Sequence, residues 1–267
     1  MLKIKEYVRA SNLEQAYELN QKKGNRIIGG MLWLKMSRLA VNTAIDLSDL
    51  QLDTVTETED SFSIGCMTTL RTLETHPALA AYTGKAATDA LSSIVGVQFR
   101  NLATLGGSLY GRYGFSDVLT LFLALNAEVE LYRAGRMPLV AYVSRPRDRD
   151  ILVRVHVKKL PDFRCAYLSH RNSRTDFPVL ACALSVSGSH GTIAVGARPH
   201  AARAVTFDAG TLAGGDPKLL HRTAEQLAAA FSYGSNLRGS AEYRAHLAQV
   251  LVERGLERLT QTAGKER

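Results

Sequence analysis

The first 160 residues contain two kinds of segment that follow one another along the chain. In one kind apolar and polar residues alternate, and in the other apolar residues recur at the spacing of a helix. Residues 11–23 place apolar side chains three and four positions apart, which predicts a helix with Ser11 as its N-cap and Glu14 completing a capping box. Residues 117–125 are apolar on nearly every side, which predicts a buried helix. The other elements predicted here are strands at 26–28, within 42–50, and at 63–66, 128–132 and 151–157, a polar hairpin around 57–61, helices at 69–76 and 78–95, and irregular stretches at 104–110 and 137–150.

From residue 162 onward the pattern changes to a succession of strands followed by helices. The predicted strands are at 165–170, 179–187 and 191–197, and the predicted helices are at 217–232 and 241–259. Strands that alternate with helices indicate an α/β fold, whereas strands followed by helices indicate an α+β fold. The chain is therefore predicted to have an α/β part, residues 1–160, and a smaller α+β part, residues 161–267.

The composition is that of a globular protein with an excess of positive charge. The 267 residues are 46% hydrophobic and 22% charged, which is enough for a substantial core. A formal net charge of +8 is compatible with an anionic ligand, an acidic partner or nucleic acid. The basic residues are scattered, and the densest group, residues 145–149, is interrupted by Asp148. Because no aromatic-lined basic groove or recognition motif is present, we expect no nucleic-acid binding.

The cysteines, histidines and termini predict neither a metal site nor a membrane segment. Cys66, Cys165 and Cys182 are isolated, which predicts buried thiols and no iron–sulfur cluster or zinc, and the seven histidines show no metal-ligand spacing. Residues 1–6 carry charge where a signal peptide needs an apolar run, and no apolar stretch approaches the roughly 20 residues that span a bilayer. We therefore expect a soluble, cytoplasmic protein that does not bind membranes.

Two segments share one arrangement, in which an apolar run leads into paired glycines. They are residues 27–30, which end in Gly29 and Gly30, and residues 103–108, which contain Gly106 and Gly107. Paired glycines permit positive φ and bring backbone amides close to a ligand, and successive amides form a nest for an anion. Two facing nests would suit the two phosphates of a dinucleotide. Neither segment has the GxGxxG spacing or a following lysine, so a Rossmann or P-loop interpretation is disfavoured.

The order of motifs along the whole chain resembles one family. Residues 100–109, followed by 116–119 and 123–129, resemble the second FAD-binding segment of the flavin (medium) subunits of molybdenum hydroxylases, the xanthine dehydrogenase and carbon monoxide dehydrogenase type. Residues 27–30 stand where that family has its first FAD loop, and residues 235–244 resemble its C-terminal signature.

This resemblance implies the fold, the cofactor and the partners. It implies a two-part FAD-binding α/β region of the vanillyl-alcohol oxidase type, with subdomains at about 1–55 and 56–160, followed by a small C-terminal domain of the carbon monoxide dehydrogenase flavoprotein type. It further implies an electron-transfer subunit that takes electrons from a molybdopterin-binding large subunit through a [2Fe–2S] small subunit, and passes them to NAD or another acceptor. Purines or other N-heterocycles would be the substrates, and no side chain of this chain would be catalytic, because the redox chemistry belongs to the flavin.

The resemblance also implies a set of flavin-contacting residues. They are Ile27, Ile28, Gly29, Gly30, Met31, Leu32 and Trp33 in the first loop, Ala103, Thr104, Gly106, Gly107 and Ser108 in the second, Asp117 on the ribose side, Leu152 against the isoalloxazine ring, and Leu168.

The sequence departs from the family pattern in both loops. Met31 stands where the family usually has a hydroxyl residue, Ser108 where it more often has Asn, and Leu168 where a lysine is common. Each lost hydrogen bond would weaken binding by about 1–2 kcal/mol. We therefore expect FAD binding to rest on backbone amides and the second segment, and to be weakest in the first loop. Two alternatives stay open: an FAD-deficient structural subunit of the same complex and a self-sufficient flavin oxidase.

Overall fold

The computed structural model describes residues 1–212 and 215–263. The strands are β1 Lys3–Arg9, β2 Arg26–Ile28, β3 Ala40–Asp46, β4 Val55–Glu57, β5 Ser61–Gly65, β6 Glu128–Leu131, β7 Gly135–Pro138, β8 Leu152–Lys158, β9 Arg164–His170, β10 Leu180–Ser187, β11 His190–Gly196 and β12 Arg203–Asp208. The α-helices are α1 Leu13–Gln21, α2 Leu70–Glu74, α3 Pro77–Tyr82, α4 Ala86–Ser92, α5 Val97–Arg100, α6 Leu105–Gly111, α7 Asp117–Ala124, α8 Leu139–Ser144, α9 Pro217–Ala229 and α10 Ala241–Ala263. Within the described ranges, no helix is long and apolar enough to cross a membrane.

The chain divides into two compact units that interleave along the sequence. Unit 1 consists of Met1–Thr72, Val97–Gly111 and Ala127–Val157. Unit 2 consists of Leu73–Gly96, Arg112–Asn126 and the described residues from Lys158 onward.

Unit 1 contains two sheets. A three-stranded parallel sheet has the order β1-β3-β2, and a five-stranded sheet has the order β4-β5-β8-β6-β7. Helix α1 confirms the helix predicted near residue 11, but its N-cap is Asn12, whose side chain accepts the amide of Gln15 at 2.8 Å. The prediction of a Ser11–Glu14 capping box was wrong by one position, because the Gln15 side chain, not Glu14, accepts the Ser11 amide at 2.7 Å.

Three elements of unit 1 differ from the sequence prediction. Strand β1 was not predicted because six of its seven residues are exposed and its sequence is charged. Helix α8 lies in the stretch predicted to be irregular, and strand β7 overlaps its start; β7 is an edge strand of four residues, and its last residue, Pro138, precedes the first turn of α8. Elements this short carry too few residues for a periodic pattern to be detected.

Unit 2 is built on a four-stranded antiparallel sheet of order β12-β11-β10-β9, which helices α7, α9 and α10 cover. All eight residues of α7 are buried, as predicted, and the predicted helices at 217–232 and 241–259 are confirmed as α9 and α10. The single helix predicted at 78–95 is instead two, α3 and α4. Gly84 (φ 56°) and Lys85 (φ 73°) interrupt it with two left-handed residues in succession.

Candidate functional site

The two glycine segments of unit 1 meet at close range. A β-carbon on Gly30 would lie 1.8 Å from the carbonyl oxygen of Leu102, and one on Gly29 would lie 2.8 Å from Thr104 Oγ1. These distances are too short for any side chain, so the loop after β2 approaches the segment before α6 only because it is made of glycine. The structure thus brings the two segments together, as the facing-nest interpretation requires.

Positive φ, however, is not the reason for these glycines. Gly29, Gly30, Gly106 and Gly107 all lack positive φ, so they do not use the left-handed conformation that glycine permits. The left-handed residue is Met31, with φ 56°. The glycines serve close packing of backbone on backbone, and the turn itself falls one residue later on a side-chain-bearing residue.

The first loop contains a run of backbone donors that the protein does not use. Within the described residues, the amides of Gly29, Gly30, Met31 and Leu32 have no hydrogen-bond partner. Gly29 is exposed and the other three are half-buried, and Trp33, which follows them, is 39% exposed. Consecutive unpartnered amides are the arrangement that binds phosphate oxygens.

The backbone amides of the second segment donate hydrogen bonds within the protein. The amide of Leu105 donates to the Thr68 carbonyl at 2.9 Å, and that of Gly106 donates to the Cys66 carbonyl at 2.7 Å. A β-carbon on Gly106 would lie 2.7 Å from Cys66 Cβ. Helix α6 therefore starts in direct contact with the segment that follows β5, and its first amides are anchored there, so the second of the two predicted nests does not form. The prediction that residues 104–110 are irregular was wrong.

Hydroxyl groups of the second segment also bind within the chain. Thr104 Oγ1 accepts the Gly107 amide at 3.2 Å, in the manner of an N-cap, and Ser108 Oγ donates to the Thr104 carbonyl at 3.0 Å. The Ser108 proton is therefore used one helical turn back, and its predicted contact with a flavin stays a prediction.

The remaining first-loop residues hold the loop to the parallel sheet. Ile28 is buried with Val41 and Ala44 in a small apolar cluster, against which Met31 packs. In the same unit, Ala103 is buried beside the glycine contact, and Leu152 is buried at the start of β8. Their predicted contacts with a flavin stay predictions.

Asp117 belongs to unit 2 and already has protein partners. Its Oδ1 accepts from Arg171 Nη2 at 2.6 Å and from the Tyr167 hydroxyl, and the residue is 5% exposed. Burial raises the pKa of this carboxyl, while Arg171 and Tyr167 oppose the rise. No sequence pattern indicates either partner, because both follow Asp117 by at least 50 residues. The structure thus accounts for Asp117 as part of a buried ion pair, and its ribose contact stays a prediction.

Leu168 and the cysteines lie in apolar surroundings. Leu168, on β9, belongs to the core of unit 2, where its side chain packs toward Gly255 of α10. Its predicted cofactor contact also stays a prediction. The three cysteines are buried and free, as expected, and burial raises the pKa of Cys66 and of Cys165 to about 12. Across residues 1–212 and 215–263, no group of three or more His, Cys, Asp or Glu side chains is placed to hold a metal ion.

Comparison with known proteins defines the class. Residues 2–159 match the model of the FAD binding domain in molybdopterin dehydrogenase, and residues 166–259 match that of the CO dehydrogenase flavoprotein C-terminal domain. The chain belongs to the family of FAD-binding, medium subunits of molybdenum hydroxylases, and it is an oxidoreductase subunit. The predicted family, fold class and cofactor are thereby confirmed.

Two relatives match over nearly the whole chain. An uncharacterized protein of Escherichia coli K12, YgfM, is 28% identical over 255 residues, which covers 93% of this chain and 94% of that protein. The nicotine 6-hydroxylase medium subunit of Paenarthrobacter nicotinovorans is 29% identical over 268 residues, with the same coverage of 93% and 94%.

Solved structures show the same fold. A chain of quinoline 2-oxidoreductase from Pseudomonas putida 86 superposes with a TM-score of 0.84 at 21% identity, over 97% of each chain. A chain of the Cu,Mo-CO dehydrogenase superposes with a TM-score of 0.84 at 22% identity, over 98% of this chain and 99% of that one.

Proposed function

We propose that this chain is the electron-transfer subunit of a molybdenum hydroxylase complex, with a molybdopterin-binding large subunit and a [2Fe–2S] small subunit as its partners. Electrons from the iron–sulfur clusters would leave through this subunit to NAD or another acceptor. FAD, when bound, supplies the redox chemistry, and the chain supplies position and electrostatics. The observation that carries the proposal is the run of unpartnered amides at Gly29–Leu32, held against the 102–104 segment.

The residues of the first loop fit the diphosphate of FAD. Four amides in succession supply donors without a charged side chain, and the exposure of Gly29 leaves them open to a ligand. Thr104 Oγ1, beside Gly29, retains its proton for donation, since toward Gly107 it acts only as an acceptor. The other contacts proposed from the sequence are Ile27, Ile28, Trp33, Ala103, Gly106, Gly107, Ser108, Asp117, Leu152 and Leu168.

The proposed substrates are N-heterocycles, purines among them, oxidised on the large subunit as in a xanthine dehydrogenase-like enzyme. Support comes from the relative named nicotine 6-hydroxylase medium subunit, because nicotine is an N-heterocycle. The solved structures support the fold only, since chains of quinoline 2-oxidoreductase and CO dehydrogenase superpose equally well.

An FAD-deficient structural subunit is the alternative. It is favoured by Met31, Leu32 and Trp33, which bring no hydroxyl to the first loop. The two functions differ in what the purified chain contains, because a flavoprotein releases FAD on denaturation and a structural subunit does not.

The test is flavin content of the full chain. We expect the flavin absorption bands in the purified protein, and one FAD per chain after denaturation and chromatography. Gly30→Ala should lose FAD, because the new β-carbon would lie 1.8 Å from a backbone oxygen and the loop must move. Gly191→Ala is the matched control: its β-carbon would meet the Phe207 ring at 2.4 Å in unit 2, so it destabilises the protein without touching the loop. A colourless protein that cannot be reconstituted with FAD would overturn the proposal and support the structural subunit.

Partners and acceptor are tested in the assembled complex. The chain, co-expressed with a molybdopterin-type large subunit and a ferredoxin-like small subunit, should co-purify with both. Hypoxanthine or nicotine should then reduce the bound flavin, and NAD⁺ should reoxidise it. Reduction by a heterocycle with no response to NAD⁺ would point to another acceptor, and a flavin that neither compound reduces would count against the N-heterocycle assignment.

A further inference from the structure

Unit 2 contains a cavity that none of the predicted flavin contacts lines. Its volume is about 400 Å³, which is within the range of small-molecule sites. The lining residues come from four separate segments of unit 2: Gly114, Phe115, Phe177, Pro178, Ala197, Pro199, His200, Ala201, Asn236, Arg238 and Arg244. Three of them, Asn236, Arg238 and Arg244, belong to the C-terminal signature segment 235–244, whose role the flavin function leaves unexplained.

The signature segment is folded as a rigid turn. Asn236 and Gly239 exchange two backbone hydrogen bonds, of 3.1 and 3.2 Å, which close a tight loop. Arg244 braces this loop from the interior: it is 1% exposed, and it donates to the Asn236 side chain at 2.6 Å and to the carbonyl of Val179 at 2.9 Å. It also donates to the carbonyl of Gly234 at 2.8 Å. The segment is therefore preorganised at the edge of the cavity.

Positive charge at the cavity exceeds negative charge. The described residues that line it include Arg238 and Arg244 but no acidic side chain. The one carboxylate that pairs with Arg238 there is Asp176, at 3.1 Å. Arg198, between two lining residues, is 7% exposed and donates to Ser232 groups, which are neutral.

Two of these arginines lack a hydrogen-bond acceptor that their geometry calls for. Nε of Arg238 and Nε of Arg198 are shielded from solvent and have no hydrogen-bond partner in the described part of the chain. Burial lowers the pKa of Arg244, and the nearby charge of Arg238 lowers it further. A buried donor without an acceptor calls for an explanation, and an anion bound at the cavity is one.

The other walls are apolar. The rings of Phe115 and Phe177 are 4.3 Å apart, and the Arg238 guanidinium lies over Phe177 at 5.2 Å from the ring centroid. Pro178 and Ala201 complete this side. An inorganic anion would leave these walls in contact with water, whereas an apolar body attached to the anion would cover them.

We propose that this cavity is a binding site for a small organic anion, a carboxylate or phosphate carried on a flat apolar body. The Arg238 guanidinium receives the oxyanion, and the Phe115–Phe177 side contacts the apolar body. The predicted flavin contacts are not among its lining residues, and Arg244, which also lines it, shapes the loop that carries Arg238.

The test is whether 4-fluorobenzoate and phenyl phosphate bind to the full-length protein. Calorimetry measures the binding of both compounds, and fluorine NMR also measures that of 4-fluorobenzoate. Fluorobenzamide and inorganic phosphate, at matched ionic strength, separate the contributions of charge and of apolar body. We expect both organic anions to bind and to raise the melting temperature. We expect the neutral amide and inorganic phosphate each to bind about tenfold more weakly or not at all.

Variants locate the site. Arg238→Gln should weaken binding of both anions by about tenfold to a hundredfold, since hydrogen bonds to charged groups carry that much affinity. Arg238→Lys should restore part of it. Arg222→Gln is the matched control, because Arg222 is an exposed arginine on α9. Ala201→Trp leaves every charge in place and fills the mouth of the cavity, so it should abolish binding even if Arg238→Gln fails to fold.

Three outcomes would overturn the proposal. One is the absence of binding of either organic anion at millimolar concentration. Another is equal binding to wild type and Ala201→Trp, which places the anion elsewhere. The third is equal affinity for inorganic phosphate and phenyl phosphate, which removes the role of the apolar walls.

Discussion

The two glycine segments of unit 1 differ in whether their backbone amides donate hydrogen bonds within the protein. In the first loop, the amides of Gly29 to Leu32 have no partner in the described part of the chain. In the second, Gly106 and Gly107 donate to the Cys66 carbonyl and to Thr104 Oγ1. The first loop therefore has amides available to a ligand, whereas the second segment packs against the first loop and uses its own amides within the protein.

From this difference we propose the reverse of the ranking that side-chain identity suggests. Side-chain identity favours the second segment, because it keeps Thr104 and Ser108, and disfavours the first, because it has lost a hydroxyl at Met31. The structure shows that the Ser108 proton is bound internally, while the first loop has donors that do not depend on side chains. Family motifs thus identify a binding region, but the hydrogen bonds decide which part of it has capacity for a ligand.

The largest effect should come from Asp117, which the sequence attaches to the second segment as a ribose contact. Asp117→Asn breaks a buried pair and leaves Arg171 without its counter-charge, so we expect a loss of about 3–5 kcal/mol in the free energy of unfolding. Denaturant unfolding measures it. Asp49→Asn, at the exposed pair with Arg9, is the control and should cost at most about 1 kcal/mol.

Asp117 also separates two roles. If Asp117 contacts the ribose, Asp117→Asn should weaken FAD binding and change stability little. If Asp117 serves the ion pair, the variant should lose stability, and the molecules that remain folded should still bind FAD. A stable Asp117→Asn protein without FAD would show that the ion pair is incidental and that the second segment reaches the cofactor through this residue.

The next effect concerns the anchor of the second segment. Gly106→Ala places a β-carbon 2.7 Å from Cys66 Cβ and 2.8 Å from the Cys66 carbonyl oxygen, so overpacking should cost about 1–3 kcal/mol. The same variant should expose the Cys66 thiol, because the start of helix α6 packs directly against this residue. In the wild type, a thiol pKa of about 12 leaves only about one thiolate in ten thousand at pH 8, so Cys66 should resist alkylation.

Peptide mapping after alkylation measures this exposure directly. We expect Cys66 to label faster in Gly106→Ala and no faster in Gly210→Ala, where the nearest group is the flexible Asp208 side chain at 3.1 Å. FAD content per folded chain should stay near that of the wild type, because the first-loop amides are unchanged. Loss of FAD with full stability would place the binding donors in the second segment after all.

How far the sequence predicts the fold depends on how local each signal is. Helix α7 has its N-cap, Ser116, and its apolar residues within one short segment, so its start and its burial are both predicted. Helix α6 contains two glycines and was predicted to be irregular. It forms because Leu105 and Leu109 are buried and its first amides bond to residues 68 and 66, nearly 40 positions earlier.

The site, like the fold, is predictable only where its signals are local. The glycine pairs and the family order predict which segments meet, because these signals are in the sequence. The use of each amide depends on partners far along the chain, and the unsatisfied donors of Arg238 and Arg198 lie where four separate segments meet. Neither has a local pattern from which it can be predicted.

A smaller effect is expected from the cap of α6. Thr104→Val keeps the shape of the side chain but removes the acceptor of the Gly107 amide, which should cost about 1 kcal/mol of stability. Thr104→Ser retains the oxygen and should stay close to the wild type. If Thr104→Val loses FAD, while Thr104→Ser keeps both FAD and the stability of the wild type, the Thr104 hydroxyl binds the cofactor as well as capping the helix.

The smallest effect should come from Met31, the left-handed residue of the first loop. Asparagine tolerates positive φ better than methionine, so Met31→Asn relieves backbone strain, but it also removes a side chain that packs near Ile28. These effects oppose each other, and we expect stability to change by less than about 1 kcal/mol. Met36→Asn, at an exposed position three residues after the first loop, is the control. FAD affinity should stay within about threefold in both variants, since 1.4 kcal/mol is needed for tenfold and the amide of residue 31 is retained. A large loss confined to Met31→Asn would mean that the first loop binds FAD through its side chains, and the contrast between the two glycine segments would then rest on more than backbone donors.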